Sequence, residues 1–301
     1  MSTTPRRWRR RLILTTTLGV SLWLFASWLV ADLMTRRAQP ARPEPAPAVA
    51  WGTVRDVRLA TADGQELGAW FVAGRADRPP VLLLHGNGGS RADCLDLAEW
   101  LAAAGHPSLL VTLRAHGDST GERNDFGYSA RHDVAAAVAW LGETCPGRPV
   151  VWGRSLGGAA AVFAAADLGD RVGGYVLECV YRDLRTAVRN RTRSRLVPPF
   201  DRIAYAGLSL TAPLVLDDVD QISPLDAAAS VPKDLPVLLL AGGADRHATP
   251  AESVAIAERI GPRAELVVFD GAGHLGLART DPTRYRAVAT KFLASCPSPG
   301  R

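Results

Sequence analysis

Leu12 to Ala31 runs for twenty residues without a charge and is rich in Leu, Val, Trp and Phe. At about 1.5 Å per residue, a helix of that length matches a hydrocarbon core of roughly 30 Å. No polar side marks a face for water, so the pattern predicts a transmembrane helix. Residues 38–48, AQPARPEPAPA, alternate Pro with Ala and charged residues. With no apolar side to bury, such a stretch tends towards an extended, semi-rigid form, and residues 32–50 read as a stalk. From Trp51 the pattern changes: Val54 to Leu59 and Leu67 to Val72 flank Thr61-Ala62-Asp63-Gly64, a turn signal between two β-rich runs, which predicts an antiparallel hairpin.

Beyond the hairpin, short apolar runs alternate with helical patterns. Strands are expected at 81–84, 108–113, 150–152 and 172–177, with helices over 92–104, 130–141 and 156–167 between them. Strands without polar alternation, separated by helices, are what a parallel sheet covered on both faces requires, so the fold class is α/β. The alternation breaks near Val180 and resumes with a strand at 237–241, a helix at 251–260, a strand at 264–269 and a last helix over 282–294. An interruption of this length is too long for a plain loop, and it predicts an inserted cap over about 180–232 in a domain spanning 51–297.

Charge narrows the function classes. The formal net charge is +5, and Arg6, Arg7, Arg9, Arg10 and Arg11 account for all of it, leaving the remainder neutral. The basic character belongs to a tail over residues 1–11, and nucleic-acid binding loses its support. By the positive-inside rule that tail stays in the cytoplasm and the domain is exported. A cleaved signal peptide is the rival, but the apolar run exceeds the usual length and the nearest small-x-small site, Ala48-Val49-Ala50, lies well past it. Cys94, Cys145, Cys179 and Cys296 stand far apart, without zinc-site spacing. No metal or organic cofactor is indicated, and the sequence leaves any disulfide pairing open.

The candidate chemistry lies at the strand ends. Gly153-Arg154-Ser155-Leu156-Gly157-Gly158 directly follows the strand Val150-Val151-Trp152 and opens an Ala-rich helix. A serine on a sharp strand-to-helix turn is held in a strained geometry with its hydroxyl exposed, and the flanking glycines relieve crowding there. Serine needs a base to accept its proton, and the base needs an acid to fix its tautomer. Asp245 and His274 each follow a later strand, in the chain order expected for acid and base. Asp270 is a rival acid, placed before the loop glycines rather than after a separate strand. An oxyanion hole would come from the backbone N–H of Leu156 and, in His85-Gly86-Asn87-Gly88-Gly89, that of Asn87. His85 and His116 read as loop braces, Glu178 as structural, and His247 as too close to Asp245 in sequence to be the base.

Taken in order, His85-Gly86-Asn87-Gly88, Arg114-Ala115-His116-Gly117-Asp118-Ser119, the Ser155 motif, Gly242-Gly243-Ala244-Asp245 and Gly271-Ala272-Gly273-His274 resemble the serine hydrolases of the α/β-hydrolase superfamily. More narrowly they are similar to the Bem46-like and serine aminopeptidase-like branch that includes monoacylglycerol lipases. The resemblance covers about residues 51–296 and implies an α/β-hydrolase fold with Ser155 as nucleophile, Asp245 as acid, His274 as base, and Asn87 and Leu156 as oxyanion donors. One departure is visible: relatives often carry Gly-x-x-Glu-x-x-Asp after the Arg114 loop, and here Gly127 and Asp133 fit while Ala130 stands at the Glu position.

The expected activity is hydrolysis of an ester, thioester or amide through an acyl-enzyme, with a small acyl or lipid-like substrate first. The alternatives are a serine exopeptidase, for which the Arg-rich cap, with Arg182, Arg185, Arg189, Arg191, Arg193 and Arg195, could bind a carboxylate, and a non-catalytic membrane-tethered binding module.

Overall fold

The computed structural model describes residues 4–37 and 39–298. Its centre is an eight-stranded sheet in the order β1-β2-β4-β3-β5-β6-β7-β8. The hairpin β1 (Val54–Ala60) and β2 (Glu66–Val72) is antiparallel, and β2 meets β4 antiparallel. The strands β3 (Val81–Leu84), β4 (Ser108–Val111), β5 (Val150–Arg154), β6 (Gly174–Glu178), β7 (Val237–Gly242) and β8 (Ala264–Phe269) pair in parallel. This is the α/β class expected, and the continuous apolar runs have the expected cause, because residues of one strand serve two cores. Leu82 and Leu84 point into the layer filled by helices α3 (Arg131–Thr144), α4 (Leu156–Phe163) and α9 (Pro250–Ile260), whereas Val81 and Leu83 point into the layer of α2 (Leu95–Ala103) and α11 (Pro282–Ser295).

The single helix expected over 156–167 breaks at Ala164 and restarts as the short α5 (Ala165–Leu168). Between β6 and β7 the chain leaves the sheet to build the cap from α6 (Leu184–Arg195), α7 (Phe200–Thr211) and the single turn α8 (Pro224–Ala227). A further turn, α10 (Leu277–Thr280), lies between β8 and α11.

The N-terminal helix α1 runs from Thr4 to Thr35, so it takes in described residues of the basic tail and passes beyond Ala31. It is the one helix among the described residues long and apolar enough to cross a membrane. Its last third packs against α7 and buries Ser27, Ala31 and Thr35, a stripe at i, i+4, i+8 on one helix face.

The segment read as a stalk runs along the domain, because Arg91 and polar groups of the 112–123 region capture its backbone and the side chains of Arg37 and Glu44. Arg37 Nη1 donates to Gly117 O at 2.9 Å and Arg37 N to Glu122 O at 2.8 Å. Glu44 accepts from Thr112 Oγ1 at 3.0 Å and pairs with the buried Arg91 at 3.2 Å. Arg91 in turn holds Asp118 at 2.5 Å and stacks its guanidinium 4.8 Å from the Trp70 ring centroid. All four cysteines are free and buried.

Candidate active site

Ser155 sits between the end of β5 and the start of α4 with φ 48° and ψ −109°, a backbone conformation that costs a non-glycine residue free energy. The surrounding structure enforces it. Ser155 N–H donates to Glu178 O at 2.7 Å and Gly157 N–H to His85 O at 3.1 Å, which pins the turn to both neighbouring strands. The motif glycines are required by contact: a Cβ on Gly153 would lie 2.5 Å from backbone atoms of Gly157 and Gly158, and one on Gly157 would lie 2.6 Å from His85 O. Beneath the turn, Glu178 accepts from Trp152 Nε1 at 2.7 Å and from the Tyr285 hydroxyl, and its other oxygen faces Arg154 Nε at 3.4 Å. Glu178 is thus a brace under the turn.

The turn delivers Ser155 Oγ to a place 3.1 Å from His274 Nε2, and His274 Nδ1 lies 2.7 Å from Asp245 Oδ2. The other Asp245 oxygen accepts from His247 N–H at 2.7 Å and Ala248 N–H at 3.1 Å. Burial pushes the Asp245 carboxyl up, but the His274 hydrogen bond and charge, with the two backbone donors, outweigh it and hold the group below the usual carboxylate range. An ionised Asp245 fixes the proton of His274 on Nδ1 and leaves Nε2 as an acceptor facing the serine. Cys179 lies within reach of both groups, but burial pushes its thiol up to about 12, so it stays neutral. With Asp245 and His274 bonded to each other, this donor set does not suit a metal ion.

Asn87 and Leu156 come to the same cavity as Ser155. Neither backbone N–H is taken by an acceptor among the described residues. The Asn87 side chain is occupied instead: its Oδ1 accepts from Asn124 Nδ2 at 2.5 Å, and Asn124 N–H donates to Thr35 O at the end of α1 at 2.7 Å.

Two histidines hold the glycine-rich loop after β3. His85 accepts from Leu113 N–H at Nε2, 2.9 Å, and donates from Nδ1 to Gly86 O, 2.7 Å. His116 accepts from Gly88 N–H at 3.1 Å, donates to Arg114 O at 2.8 Å, and meets the His85 ring edge-to-face at 5.0 Å. Both rings must be neutral to accept from a backbone N–H. Burial drives His85 down from 6.5 to about 3, with the neighbouring His116 adding to the shift. The unfolded chain therefore binds this proton first, so the contribution of His85 is whole above pH 6.5 and is lost as pH falls towards 3. Between pH 7 and 5 the wild type should lose about 2 kcal/mol more folding free energy than His85→Gln, measured by urea denaturation at both pH values. A pH dependence unaltered by the substitution would mean that the ring is not held neutral.

Arg114 is buried between two carboxylates. It reaches Asp133 at 2.6 Å and 2.8 Å and Asp63 at 2.6 Å and 3.0 Å. The second carboxylate on this arginine comes from the β1–β2 turn.

The Ser155 hydroxyl forms part of the floor of a cavity of about 320 Å³, small within the usual range for ligand pockets. Its walls are almost wholly apolar and come from three places: the cap, the loop bearing Phe126, and Val30, Ala31, Met34 and Thr35 of α1. Sequence reasoning missed the α1 wall. Of the cap arginines, Arg191 and Arg195 border the cavity, while Arg182, Arg185 and Arg189 do not. Arg185 pairs instead with Asp220 at 2.7 Å.

Comparison with known proteins adds four findings. A family model described as the alpha/beta hydrolase family matches residues 81–288. An uncharacterised protein of Mycobacterium tuberculosis is 30% identical over 241 residues, covering 78% of this chain and 77% of its own length. The lysophosphatidylserine lipase ABHD12 of Rattus norvegicus is 27% identical over 161 residues, covering 50% of this chain and 40% of its own. Among solved structures, the Pyrococcus furiosus esterase Pf2001 superposes with a TM-score of 0.69 at 22% identity, covering 86% of this chain and 98% of its own.

Proposed function

Since the chain belongs to the alpha/beta hydrolase family, we propose that it is a membrane-anchored serine hydrolase cleaving carboxylic esters with lipid-like acyl groups. The observation that carries this reading is the hydrogen-bonded line from Ser155 Oγ through His274 to Asp245 at the floor of an apolar cavity. The esterase and lipase activities named for its relatives point the same way.

In this reading His274 Nε2 takes the proton of Ser155 as Oγ attacks the ester carbonyl. The backbone N–H groups of Asn87 and Leu156 bind the oxyanion of the tetrahedral intermediate. The imidazolium gives its proton to the departing alkoxide, leaving an acyl-serine. Water deprotonated by the same nitrogen then releases the acid and restores the serine. Asp245 stabilises the imidazolium through both steps. Helix α1 crosses the membrane with the arginine-rich N-terminus in the cytoplasm, and the domain faces the other side. The exopeptidase alternative is weaker for an aminopeptidase, because among the described residues no acidic side chain lines the cavity to hold an α-ammonium group.

The test is covalent labelling of the full-length protein in detergent micelles by an alkyl fluorophosphonate. The wild type should be labelled on the peptide carrying Ser155, Ser155→Ala should not be labelled, and His274→Ala should be labelled at least a hundredfold more slowly. A folded wild type that resists the probe would sink the serine mechanism and favour a binding module.

A further inference from the structure

The cavity above Ser155 and the path of α1 together say where the substrate comes from. Leu12–Ala31 supplies about 30 Å of helix, the thickness of a hydrocarbon core. Only Leu12–Leu22 of that stretch is free of the cap, and eleven residues rise about 16 Å. From Trp23 onward α1 lies against α7. The two helices approach closely where Gly207 faces Ser27: a Cβ on Gly207 would stand 2.1 Å from Ser27 Oγ and 3.0 Å from Trp23 Nε1. Small residues at a crossing are how helices pack within lipid. If α1 spans the bilayer, its length puts this crossing, and the cap helix with it, inside the outer half of the hydrocarbon layer.

The surface of α7 beside α1 suits that depth. One turn before Gly207 is Ile203, 47% exposed, and three residues after it is Leu210, 63% exposed; Phe200 and Leu214 extend the same exposed apolar strip. An exposed strip of this kind is costly in water, but it continues the apolar surface of α1 without a break in character. On the neighbouring face of α7, Ala204 and Leu208 line the cavity. The α1 wall is shared between inside and outside: Val30 and Met34 line the cavity yet are 45% and 40% exposed. The mouth of the cavity therefore opens along α1, at the level where the helix leaves the bilayer.

We propose that Ser155 is supplied sideways from the outer leaflet: an ester bearing one long acyl chain slides past Val30 and Met34 of α1 into the cavity without passing through water. This rests on the serine-hydrolase and membrane-span readings above. A cavity of about 320 Å³, at the small end of ligand pockets, suits an ester carrying a single acyl chain better than one carrying two.

The experiment uses the full chain in phosphatidylcholine vesicles with two substrates, p-nitrophenyl butyrate in the water and 1-oleoylglycerol in the bilayer. Leu210→Asp puts a charge on the lipid-facing strip, away from the cavity. It should leave butyrate turnover and fluorophosphonate labelling at the wild-type level while lowering oleoylglycerol turnover at least tenfold. Met34→Trp narrows the mouth and should lower the ratio of oleoylglycerol to butyrate turnover about tenfold. A spin label on Leu210→Cys, selective because the native thiols are buried, should collide more with dissolved oxygen than with a water-soluble nickel chelate. Collision with nickel as frequent as at a water-exposed site, or equal loss on both substrates in Leu210→Asp, would overturn lateral supply while leaving the serine mechanism intact. A wild type inert to fluorophosphonate and to both esters would remove the serine mechanism and this proposal with it.

Discussion

Replacing Asp245 by Asn is expected to lower ester turnover about 10⁴-fold with little change in the fold. The carboxylate accepts three hydrogen bonds, two from the backbone N–H groups of His247 and Ala248 and one from His274 Nδ1. An amide can satisfy the backbone donors only with its oxygen, which turns its NH₂ towards His274. The imidazole must then accept at Nδ1 and carry its proton on Nε2, the nitrogen 3.1 Å from Ser155 Oγ, where a base is needed. Steady-state kcat for a soluble ester, with thermal unfolding to show that the variant is folded, decides the matter. A loss of less than tenfold would take Asp245 out of the orienting role.

The second large effect belongs to folding. Gly153→Ala should cost about 3 kcal/mol, because its methyl would meet three backbone atoms of Gly157 and Gly158 at 2.5 Å and no side chain can swing away to make room. For a domain of this size the melting temperature should fall by roughly 10 °C. Gly142→Ala is the matched control. Gly142 lies exposed in α3 with nothing within 4 Å of the added carbon, so alanine should be neutral or stabilise by up to about 1 kcal/mol. Equal melting points for the two variants would mean that the turn relaxes more easily than its geometry implies.

The sheet and the strand-end residues were readable because each leaves a local signature. Val81–Leu84 is apolar throughout since both of its faces are covered, and the glycines around Ser155 are dictated by contacts within a few residues. His85 and His116 carried a weaker sign, a polar ring beside a glycine turn, and the backbone groups they hold are visible only in three dimensions. The role of α1 as a cavity wall was not readable for a physical reason. A residue facing lipid and a residue facing an apolar cavity obey the same hydrophobic rule, so Val30 and Met34 look no different from Leu14 or Leu18. The spacing of Ser27, Ala31 and Thr35, small or short residues four apart on one face, was the available clue to a packed side. The capture of Glu44 by Arg91 and Thr112 could not be read either, because a proline-rich segment has the same composition whether it hangs free or is strapped down.

Asn124 joins the last turn of α1 to the side chain of Asn87 by two successive hydrogen bonds. The N-terminal helix and the α/β-hydrolase domain are therefore not separate modules. In many tethered proteins the tether is interchangeable, and cutting it liberates a complete soluble domain. Here a cut after Ala50 would take away one side of the cavity and the Thr35 carbonyl that holds Asn124 against Asn87, so α1 belongs to the architecture of the cavity above Ser155. Changes in α1 are accordingly constrained by the shape of the cavity it walls as well as by its own apolar length.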